Sequence, residues 1–378
     1  MKSILVVDIA GPPQILVAVI RALARPPGLA IHVLTDNRRD PARLSRHLSS
    51  FRSMQPGVAD ADILDHVIAA VTELTIDVIL PSGEQSVRFL SKNRRAIEPR
   101  CALSPIPAPR ALAVSRDKWL LAEELRSGGI SSPRTLLLQE HPGNEEIPEG
   151  FRFPALVKHR IGAGGHGITL VGRREDLPAV LQKSPAPPAS RILQEFVPGY
   201  DIDCSLLSQN GRLLAWTVQR GILPGSTAYG APAGIQFCDN PGPLATASAW
   251  ASRSGWSGVA HCDMRYDERT GEYTMIEVNP RYWRSLLGSL VAGVNFPLCA
   301  CLTALAQSYP PPEQKAVKFI HESRVSIREL VSTYTGRSTE RFRWSQTNLS
   351  FAVHDPLPDI ALFLRRVSRR RSSHSADP

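Results

Sequence analysis

Three side chains with oxygen donors, Asp263, Glu277 and Asn279, fall on the two arms of an expected β-hairpin. If the hairpin is centred near Thr270, Asp263 lies directly opposite Glu277, and directly opposed residues share a face with Cβ atoms about 5 Å apart. Asn279 shares that face because side chains alternate along a strand. Hard oxygen ligands in this number suit Mg²⁺ next to phosphate groups. The alternative is a half-exposed hairpin whose polar face only meets water.

Two lysines and a glycine-rich segment are candidates for phosphate contacts. Lys158 ends an apolar strand, and four glycines follow within residues 162–167, where they free the backbone to bring N–H groups against phosphate oxygens. Lys118 is an isolated cation beside a helix start. The segment is no Walker A loop, because no Gly-Lys-Ser/Thr occurs, and a glycine-rich hairpin turn is the alternative. If the segment is a flap over phosphates, its candidate contacts are Gly164, Gly165 and Gly167.

A further candidate is the segment 193–201, which leaves an apolar strand through Pro198-Gly199. Such a departure exposes main-chain donors and acceptors that could read the edge of an adenine ring. Asp201 lies where a carboxylate could accept hydrogen bonds from ribose hydroxyls. An ordinary strand and turn is the alternative interpretation. The main-chain candidates are Glu195, Phe196 and Val197.

The elements that must position these residues begin with an alternation of strands and helices. Strand patterns lie at residues 4–8, 30–34 and 77–81, and helical patterns at 14–24 and 63–74. This alternation predicts a doubly wound α/β domain with a parallel sheet covered on both faces. Ligands of such sheets bind at the carboxyl ends of strands, and the corresponding candidates here are Gly11, Asp36 and residues 82–84. No GxGxxG motif follows the first strand, so ordinary dinucleotide binding is unsupported.

Beyond residue 112 the pattern changes to short strands, turns and isolated helices. Strands are expected over 191–220, a helix over 242–255, a hairpin over 258–279 and a last helix over 285–307. The predicted parts are an N-terminal α/β domain at 1–114, a part with the glycine-rich loop at 115–190, a part with the metal-binding hairpin at 191–308, and a C-terminal extension with a basic tail at 309–378.

Composition bounds the class of protein. The chain has 378 residues, 43% hydrophobic and 21% charged, which indicates two or three globular domains and excludes collagen-like, coiled-coil and wholly disordered proteins. The net charge of +9 is concentrated at the end, where residues 365–378 hold five Arg and one Asp. We expect a solvated tail, with contact to an anionic surface as the alternative. Nucleic-acid binding is not expected, because this arginine run lacks interleaved aromatic residues.

Cysteine spacing and hydropathy indicate a cytoplasmic protein. Six cysteines occur without any Cys-x-x-Cys pair, so reduced thiols are expected. Asp8 interrupts the short apolar N-terminus before any signal-peptide cleavage pattern. No run of about 18 uncharged apolar residues occurs, so no membrane span is expected.

The order of these motifs along the chain resembles that of the ATP-grasp superfamily. The motifs are a lysine, a strand lysine with a glycine-rich loop, Gln-Glu-Phe-Val-x-Gly-x-Asp, and an Asp followed fourteen residues later by Glu-x-Asn-Pro-Arg. The likeness is greatest to the carbamoyl-phosphate-synthetase-like and carboxylate–amine ligase branches and covers about residues 1–305. It implies a two-subdomain α+β ATP-grasp fold after the N-terminal domain. Gln194 and Asp201 depart from it, because relatives often have Glu at both positions.

The resemblance also implies cofactors and a role for each candidate residue. ATP would bind with one or two Mg²⁺, or with Mn²⁺. Lys118 and Lys158 would bind the ATP phosphates, and residues 162–167 would form a flap over them. The main chain around Glu195 and Val197 would bind adenine, and Asp201 would bind the ribose. Asp263, Glu277 and Asn279 would bind the metal, and Arg281 would stabilise the transferred phosphoryl or the acyl phosphate.

The implied reaction is ATP-dependent, ADP-forming ligation of a small-molecule carboxylate to an amine. The carboxylate attacks the γ-phosphorus of ATP, and the amine then captures the acyl phosphate. The rival hypotheses are phosphorylation or carboxylation of a small acid without ligation, and a non-catalytic nucleotide-binding module. A homodimer is possible. Candidates for the substrate pocket are Glu84, Arg220, Arg284, residues 221–236 and the C-terminal extension.

Overall fold

The computed structural model describes residues 1–138, 147–162, 164–165, 167–183, 187, 190–227, 229–337 and 340–374, with the backbone alone for 366–374. The chain divides into two compact units. The first unit comprises Met1–Pro107 and Arg281–Pro378, and the second comprises Ala108–Pro280. The four-part division expected from the sequence stays a prediction.

The first unit begins with strands and helices in alternation. They are β1 (Lys2–Asp8), α1 (Pro13–Leu23), β2 (Leu29–Thr35), β3 (Ser50–Ser53), α2 (Asp60–Glu73), β4 (Val78–Pro81), α3 (Glu84–Lys92), α4 (Arg94–Ile97) and β5 (Ala102–Leu103). Neighbouring strands pair parallel in the order β3-β2-β1-β4-β5. The order reverses between β1 and β4, which confirms the predicted doubly wound sheet.

Both faces of this sheet are buried because its central strands are apolar throughout. Leu5 and Val7 of β1 pack in one core with Val67 of α2 and Leu90 of α3. Side chains alternate along a strand, so Val6 points to the opposite face, and it is buried there as well.

The second unit contains mainly antiparallel strands. Its elements are α5 (Pro109–Arg116), α6 (Lys118–Ser127), β6 (Thr135–Leu137), β7 (Ala155–His159), β8 (Thr169–Val171), α7 (Leu177–Gln182), β9 (Arg191–Glu195), β10 (Gly199–Gln209), β11 (Arg212–Leu223), β12 (Gly234–Phe237), α8 (Pro241–Ser254), β13 (Gly258–Asp267) and β14 (Glu272–Asn279). One sheet has the order β6-β9-β7-β8, and a second sheet places β14-β13-β10-β11-β12 side by side. The predicted α+β character of this part is confirmed.

The expected hairpin is β13 and β14, and its register contains a bulge that was not predicted from the sequence. Near the turn Asp267 pairs with Glu272, whereas Asp263 pairs with Glu277. The shift lies between Asp263 and Met264, so Ile276 is an extra residue on β14. In a regular hairpin, alternation from Glu277 would place Ile276 on the apolar face. The bulge instead places fully buried Met275 opposite Met264.

The chain then completes the first unit with α9 (Leu286–Val291), α10 (Phe296–Ala304), β15 (Lys318–Ile320), α11 (Ser323–Tyr334), α12 (Leu349–Ala352) and α13 (Pro356–His374). The single helix expected over 285–307 is wrong, because it is divided into α9 and α10. Gly293, between them, has a φ of 104°, a conformation that favours glycine. Asn295 then caps α10 by accepting from the Leu298 N–H at 3.2 Å.

Within the described residues, no helix is long and apolar enough to cross a membrane.

Candidate active site

The carboxylates Asp263 and Glu277 stand side by side on β13 and β14, with Asn279 next to them. Asp263 pairs directly with Glu277 in the ladder, and the Asn279 Nδ2 atom donates to Asp263 Oδ2 at 3.1 Å. Asn279 is 6% exposed, whereas the side chain of Asp263 is 39% exposed and so remains open to a ligand. The structure therefore brings together all three residues that the sequence predicted as metal ligands.

A histidine, His261, orients the first of these carboxylates. Its Nε2 lies 3.2 Å from Asp263 Oδ1, and its Nδ1 lies 2.8 Å from the hydroxyl of Ser205 on β10. Asp203 pairs with Asp263 across β10 and β13 and lies 3.8 Å from His261 Nε2. Burial raises the pKa of Asp203, and the neighbouring Asp201 adds to this effect. Asp203, His261 and Asp263 thus extend the polar face of the hairpin onto β10.

Lys118, the first residue of α6, joins the carboxylates to the glycine-rich loop. Its Nζ lies 3.4 Å from Glu277 Oε2 and donates to the Gly162 carbonyl oxygen at 2.6 Å. The side chain is 8% exposed. The N-cap of α6, Asp117, accepts from the Trp119 N–H at 2.9 Å, which fixes the start of the helix and therefore the lysine.

Lys158, near the end of β7, is the second buried cation. It is 6% exposed and donates to Gln194 Oε1 on β9 at 2.6 Å. Burial lowers its pKa from 10.5 to about 8, and Lys118 contributes to the lowering, while Glu277 and Asp263 oppose it. A buried ammonium whose charge is disfavoured in the free protein is suited to a polyanionic ligand, because such a ligand would restore its charge.

The glycine-rich loop adopts conformations that favour glycine. Gly165 and Gly167 have φ values of 74° and 71°. A side chain at Gly165 would overlap the carbonyl oxygen of Tyr229, and one at Gly167 would come within 2.6 Å of the His159 ring. Gly164 also has a positive φ, of 77°. Ala163 and His166, which complete the expected flap, lie outside the described residues.

The segment that leaves β9 is fixed by Arg265 of β13. Its Nε donates to the Val197 carbonyl oxygen at 2.8 Å, its Nη1 to Asp201 Oδ1 at 2.5 Å, and its Nη2 to the Gly199 carbonyl oxygen. The guanidinium carbon also lies over the Phe196 ring, 5.4 Å from its centroid. Asp201, the predicted ribose ligand, keeps 64% of its side chain exposed and is therefore accessible.

Glu195 is engaged inside the protein. It is 3% exposed, and its carboxylate accepts from the Arg152 N–H at 3.0 Å and from Arg152 Nε at 2.9 Å. Its own N–H donates to the Arg134 carbonyl oxygen at 2.9 Å. Any main-chain contact of Glu195 with a base would therefore fall to its carbonyl oxygen.

Arg281 belongs to the first unit, where its Nη1 donates to the Tyr282 carbonyl oxygen at 3.0 Å. Glu84 and Arg284 also belong to that unit. The predicted roles of these three residues stay predictions.

Arg265, Asp203 and the Lys158–Gln194 pair belong to this site but were not predicted from the sequence. Arg265 follows Asp263 by two residues on the same strand, so the period of two could have placed it on the polar face. Gln194 begins the Gln-Glu-Phe-Val-x-Gly-x-Asp motif, but its contact with Lys158 depends on a strand pairing between distant parts of the chain, as does the position of Asp203.

The chemistry that this face permits is the binding of a cation and a polyanion next to each other. Two carboxylates and a carboxamide oxygen form a donor set suited to a hard divalent ion. Two buried ammonium groups interact with the same carboxylates: Lys118 Nζ lies 3.4 Å from Glu277 Oε2, and the charges of Glu277 and Asp263 oppose the lowering of the Lys158 pKa. Ser205, His261 and Asp263 form a hydrogen-bonded array at this face, but Ser205 is fully buried, so its hydroxyl is not exposed to act as a nucleophile.

Comparisons with known proteins agree with this geometry. Residues 115–285 match the family model described as an ATP-grasp domain. The D-aspartate ligase of Enterococcus faecium is 25% identical over 182 residues, which are 43% of this chain and 43% of that protein. The chain spans less than half the length of the curated relatives it matches.

Two solved structures share the fold. An ADP complex of an N5-carboxyaminoimidazole ribonucleotide synthetase has a TM-score of 0.65 at 17% identity, covering 92% of this chain and 90% of that one. An L-amino acid ligase from Bacillus licheniformis has a TM-score of 0.62 at 16% identity, covering 83% and 75%.

Proposed function

Because residues 115–285 form an ATP-grasp domain, we propose that this chain is a Mg·ATP-dependent ligase that activates a small-molecule carboxylate and joins it to an amine. The observation that carries the proposal is the convergence of Asp263, Glu277 and Asn279 with the two buried lysines. The D-aspartate ligase and L-amino acid ligase among the similar proteins support a ligase over a binding module.

The donor set fits Mg²⁺, because it consists of oxygen atoms alone and Asp263 is partly open to solvent. Asp263, Glu277 and Asn279 would hold one or two ions. When bound, the ion neutralises phosphate charge and orients the phosphate chain. Mn²⁺ takes similar oxygen ligands, so its use in place of Mg²⁺ is part of the proposal.

The lysines would hold the phosphates. Lys158, whose charge is disfavoured by burial, and Lys118, held between Glu277 and Gly162, would each donate to phosphate oxygens. The 162–167 loop would cover the phosphates with its N–H groups, Gly164, Gly165 and Gly167 among them. Asp201 would accept from the ribose, and the main chain around Val197 would contact the base. Arg281 would stabilise the transferred phosphoryl group.

The reaction proceeds in two balanced steps. A carboxylate oxygen of the substrate forms a bond to the γ-phosphorus, and the bond to the β,γ-bridging oxygen breaks, releasing ADP. The amine nitrogen then attacks the carbonyl carbon of the acyl phosphate, inorganic phosphate leaves, and the amine loses a proton. The protein positions the reactants and neutralises their charge, so no covalent enzyme intermediate is required.

We also propose a cellular location, an oligomeric state and a class of substrates. Free thiols at all six cysteines fit a reducing compartment, which supports a cytoplasmic location. A homodimer is part of the proposal. The proposed substrates are a small-molecule carboxylate and a small-molecule amine.

The test is a screen of pooled carboxylic acids and amines for ATP-dependent release of ADP and phosphate. We expect release that requires one acid and one amine together and falls at least 100-fold in Asp263→Asn. Asp239→Asn, at an exposed carboxylate of the same unit, is the matched control and should retain full activity. Release of AMP and pyrophosphate would contradict the acyl-phosphate route. Phosphate release without any amine would favour simple phosphorylation of an acid.

A further inference from the structure

The C-terminal helix α13 is attached to the first unit by polar contacts at its start. Arg21 of α1, 5% exposed, donates to the Asp355 carbonyl oxygen at 2.6 Å and pairs with Asp359. Asp355 also accepts from the Ser45 hydroxyl at 2.9 Å and from the Arg46 N–H at 3.0 Å. This network is buried, and it fixes which face of α13 is turned toward the protein.

The outward face of α13 is apolar, the reverse of the usual surface helix. Helical spacing places four large apolar residues on or beside one stripe, and each is about half exposed: Leu357 (53%), Ile360 (51%), Phe363 (54%) and Leu364 (57%). Pro358 and Asp359 face inward instead, one buried and the other partly so. Exposed apolar surface of this kind, contiguous along a helix, marks a site of interaction.

The sequence places a strong positive charge directly after this stripe. Five arginines lie within residues 365–371, and no acidic residue occurs between Asp359 and Asp377. The backbone of α13 continues as a helix to His374. Residues 309–378 contain twelve Lys and Arg against seven Asp and Glu, so they carry +5 of the net +9. Along the sequence of this helix, the apolar stripe is therefore followed directly by a cationic segment.

We propose that α13 is an interfacial helix that binds the chain to an anionic phospholipid surface. The stripe of Leu357, Ile360, Phe363 and Leu364 enters the boundary between headgroups and acyl chains, and the arginines contact the anionic headgroups. Pairing of α13 with the α13 of a second copy would bring two arginine segments together, which opposes association through this helix. Nucleic acid would neutralise the charge of the arginines but offers no apolar layer for the stripe. Phe363 is the single aromatic residue of the stripe, so stacking on bases is not favoured.

The test measures co-sedimentation of the full chain with vesicles of 70% phosphatidylcholine and 30% phosphatidylserine in 0.1 M NaCl. We expect binding to these vesicles and at least tenfold weaker binding to pure phosphatidylcholine. Ile360→Gln with Leu364→Gln should weaken binding at least tenfold, because buried apolar area is lost. Replacing Arg369, Arg370 and Arg371 by Gln should weaken it about 100-fold, since each charge contributes about fivefold.

The matched control is the double variant Ile327→Gln, Val331→Gln on α11. The side chains of Ile327 and Val331 are 56% and 55% exposed, and they lie outside the stripe. This control should bind vesicles as the unchanged protein does. Thermal unfolding and ATP binding are measured for every variant, and both should stay unchanged, so the result is independent of the proposed ligase activity. The proposal is overturned if the two vesicle types bind equally, if the α11 control loses as much binding, or if the stripe variant only converts a dimer into a monomer. Binding of a single-stranded 20-mer in preference to the vesicles would also overturn it.

Discussion

Replacing the buried Lys158 by methionine should make the free protein slightly more stable and its nucleotide binding much weaker. The pKa of Lys158 falls from 10.5 to about 8, chiefly through burial, so its charge destabilises the free protein by about 3 kcal/mol at pH 7. Methionine removes this penalty but also the hydrogen bond to Gln194, which contributes about 1 to 3 kcal/mol. The free energy of unfolding should therefore rise by about 0 to 2 kcal/mol.

The nucleotide effect has the opposite sign. A charge-assisted hydrogen bond from Lys158 to phosphate contributes about 1.5 to 3 kcal/mol, so Lys158→Met should bind a non-hydrolysable ATP analogue with Mg²⁺ about 10- to 150-fold more weakly. Calorimetric titration measures this affinity, and urea unfolding measures stability. The exposed Lys183 offers the matched control, because Lys183→Met should change neither quantity.

The same substitution has a defined pH dependence. Because the folded-state pKa is lowered, the unfolded chain holds the proton more tightly, and the penalty is fully present below pH 8. It is lost as pH rises from about 8 to about 10.5, so the stability advantage of Lys158→Met should shrink over that window. A variant destabilised by more than about 3 kcal/mol, with unchanged nucleotide affinity, would refute the reasoning.

The remaining predictions concern the loop, the second carboxylate and Arg265. Gly165→Ala should lower the melting temperature and turnover together, because its φ is 74° and a side chain would overlap the Tyr229 carbonyl oxygen; unchanged turnover and melting temperature would argue against a fixed loop. Glu277→Gln should raise the Mg²⁺ concentration needed for half-maximal turnover at least tenfold, whereas Glu272→Gln, exposed on the same strand, should leave it unchanged; equal effects in a Mg²⁺ titration would contradict the assignment. Arg265→Gln should speed proteolysis of the segment 197–201, because three contacts to it are lost, and equal cleavage rates in limited proteolysis would count against this role.

The hairpin shows how far a sequence can locate a site. Its two arms and its polar face follow from alternation, and the pairing of Asp263 with Glu277 was predicted correctly. However, the regular ladder from which this pairing was predicted is not the ladder observed. The observed turn pairs Asp267 with Glu272, and a regular ladder continued from there would place Ile276 opposite Asp263. The bulge at Ile276 brings Glu277 into place, and a bulge depends on packing that local sequence does not reveal.

Contacts between distant segments were the other feature of the site that could not be predicted from the sequence. The doubly wound sheet followed from local apolar runs, such as that of β1, because each strand is short, buried and flanked by a helix. The positions of Gln194 beside Lys158, and of Asp203 beside His261, depend on pairings of β9 with β7 and of β10 with β13. Such pairings are selected by the whole fold, so the local sequence around Gln194 or Asp203 does not predict these contacts.

The central claim is that Asp263, Glu277 and Asn279 bind a divalent cation beneath a triphosphate held by Lys118 and Lys158. The most direct measurement is electron paramagnetic resonance of Mn²⁺, used as a spectroscopic substitute for Mg²⁺, with and without a non-hydrolysable ATP analogue. We expect the protein to bind Mn²⁺ much more tightly with the analogue present, and the double variant Asp263→Asn, Glu277→Gln to lose this gain. Equal, nucleotide-enhanced Mn²⁺ binding by the double variant would contradict the claim.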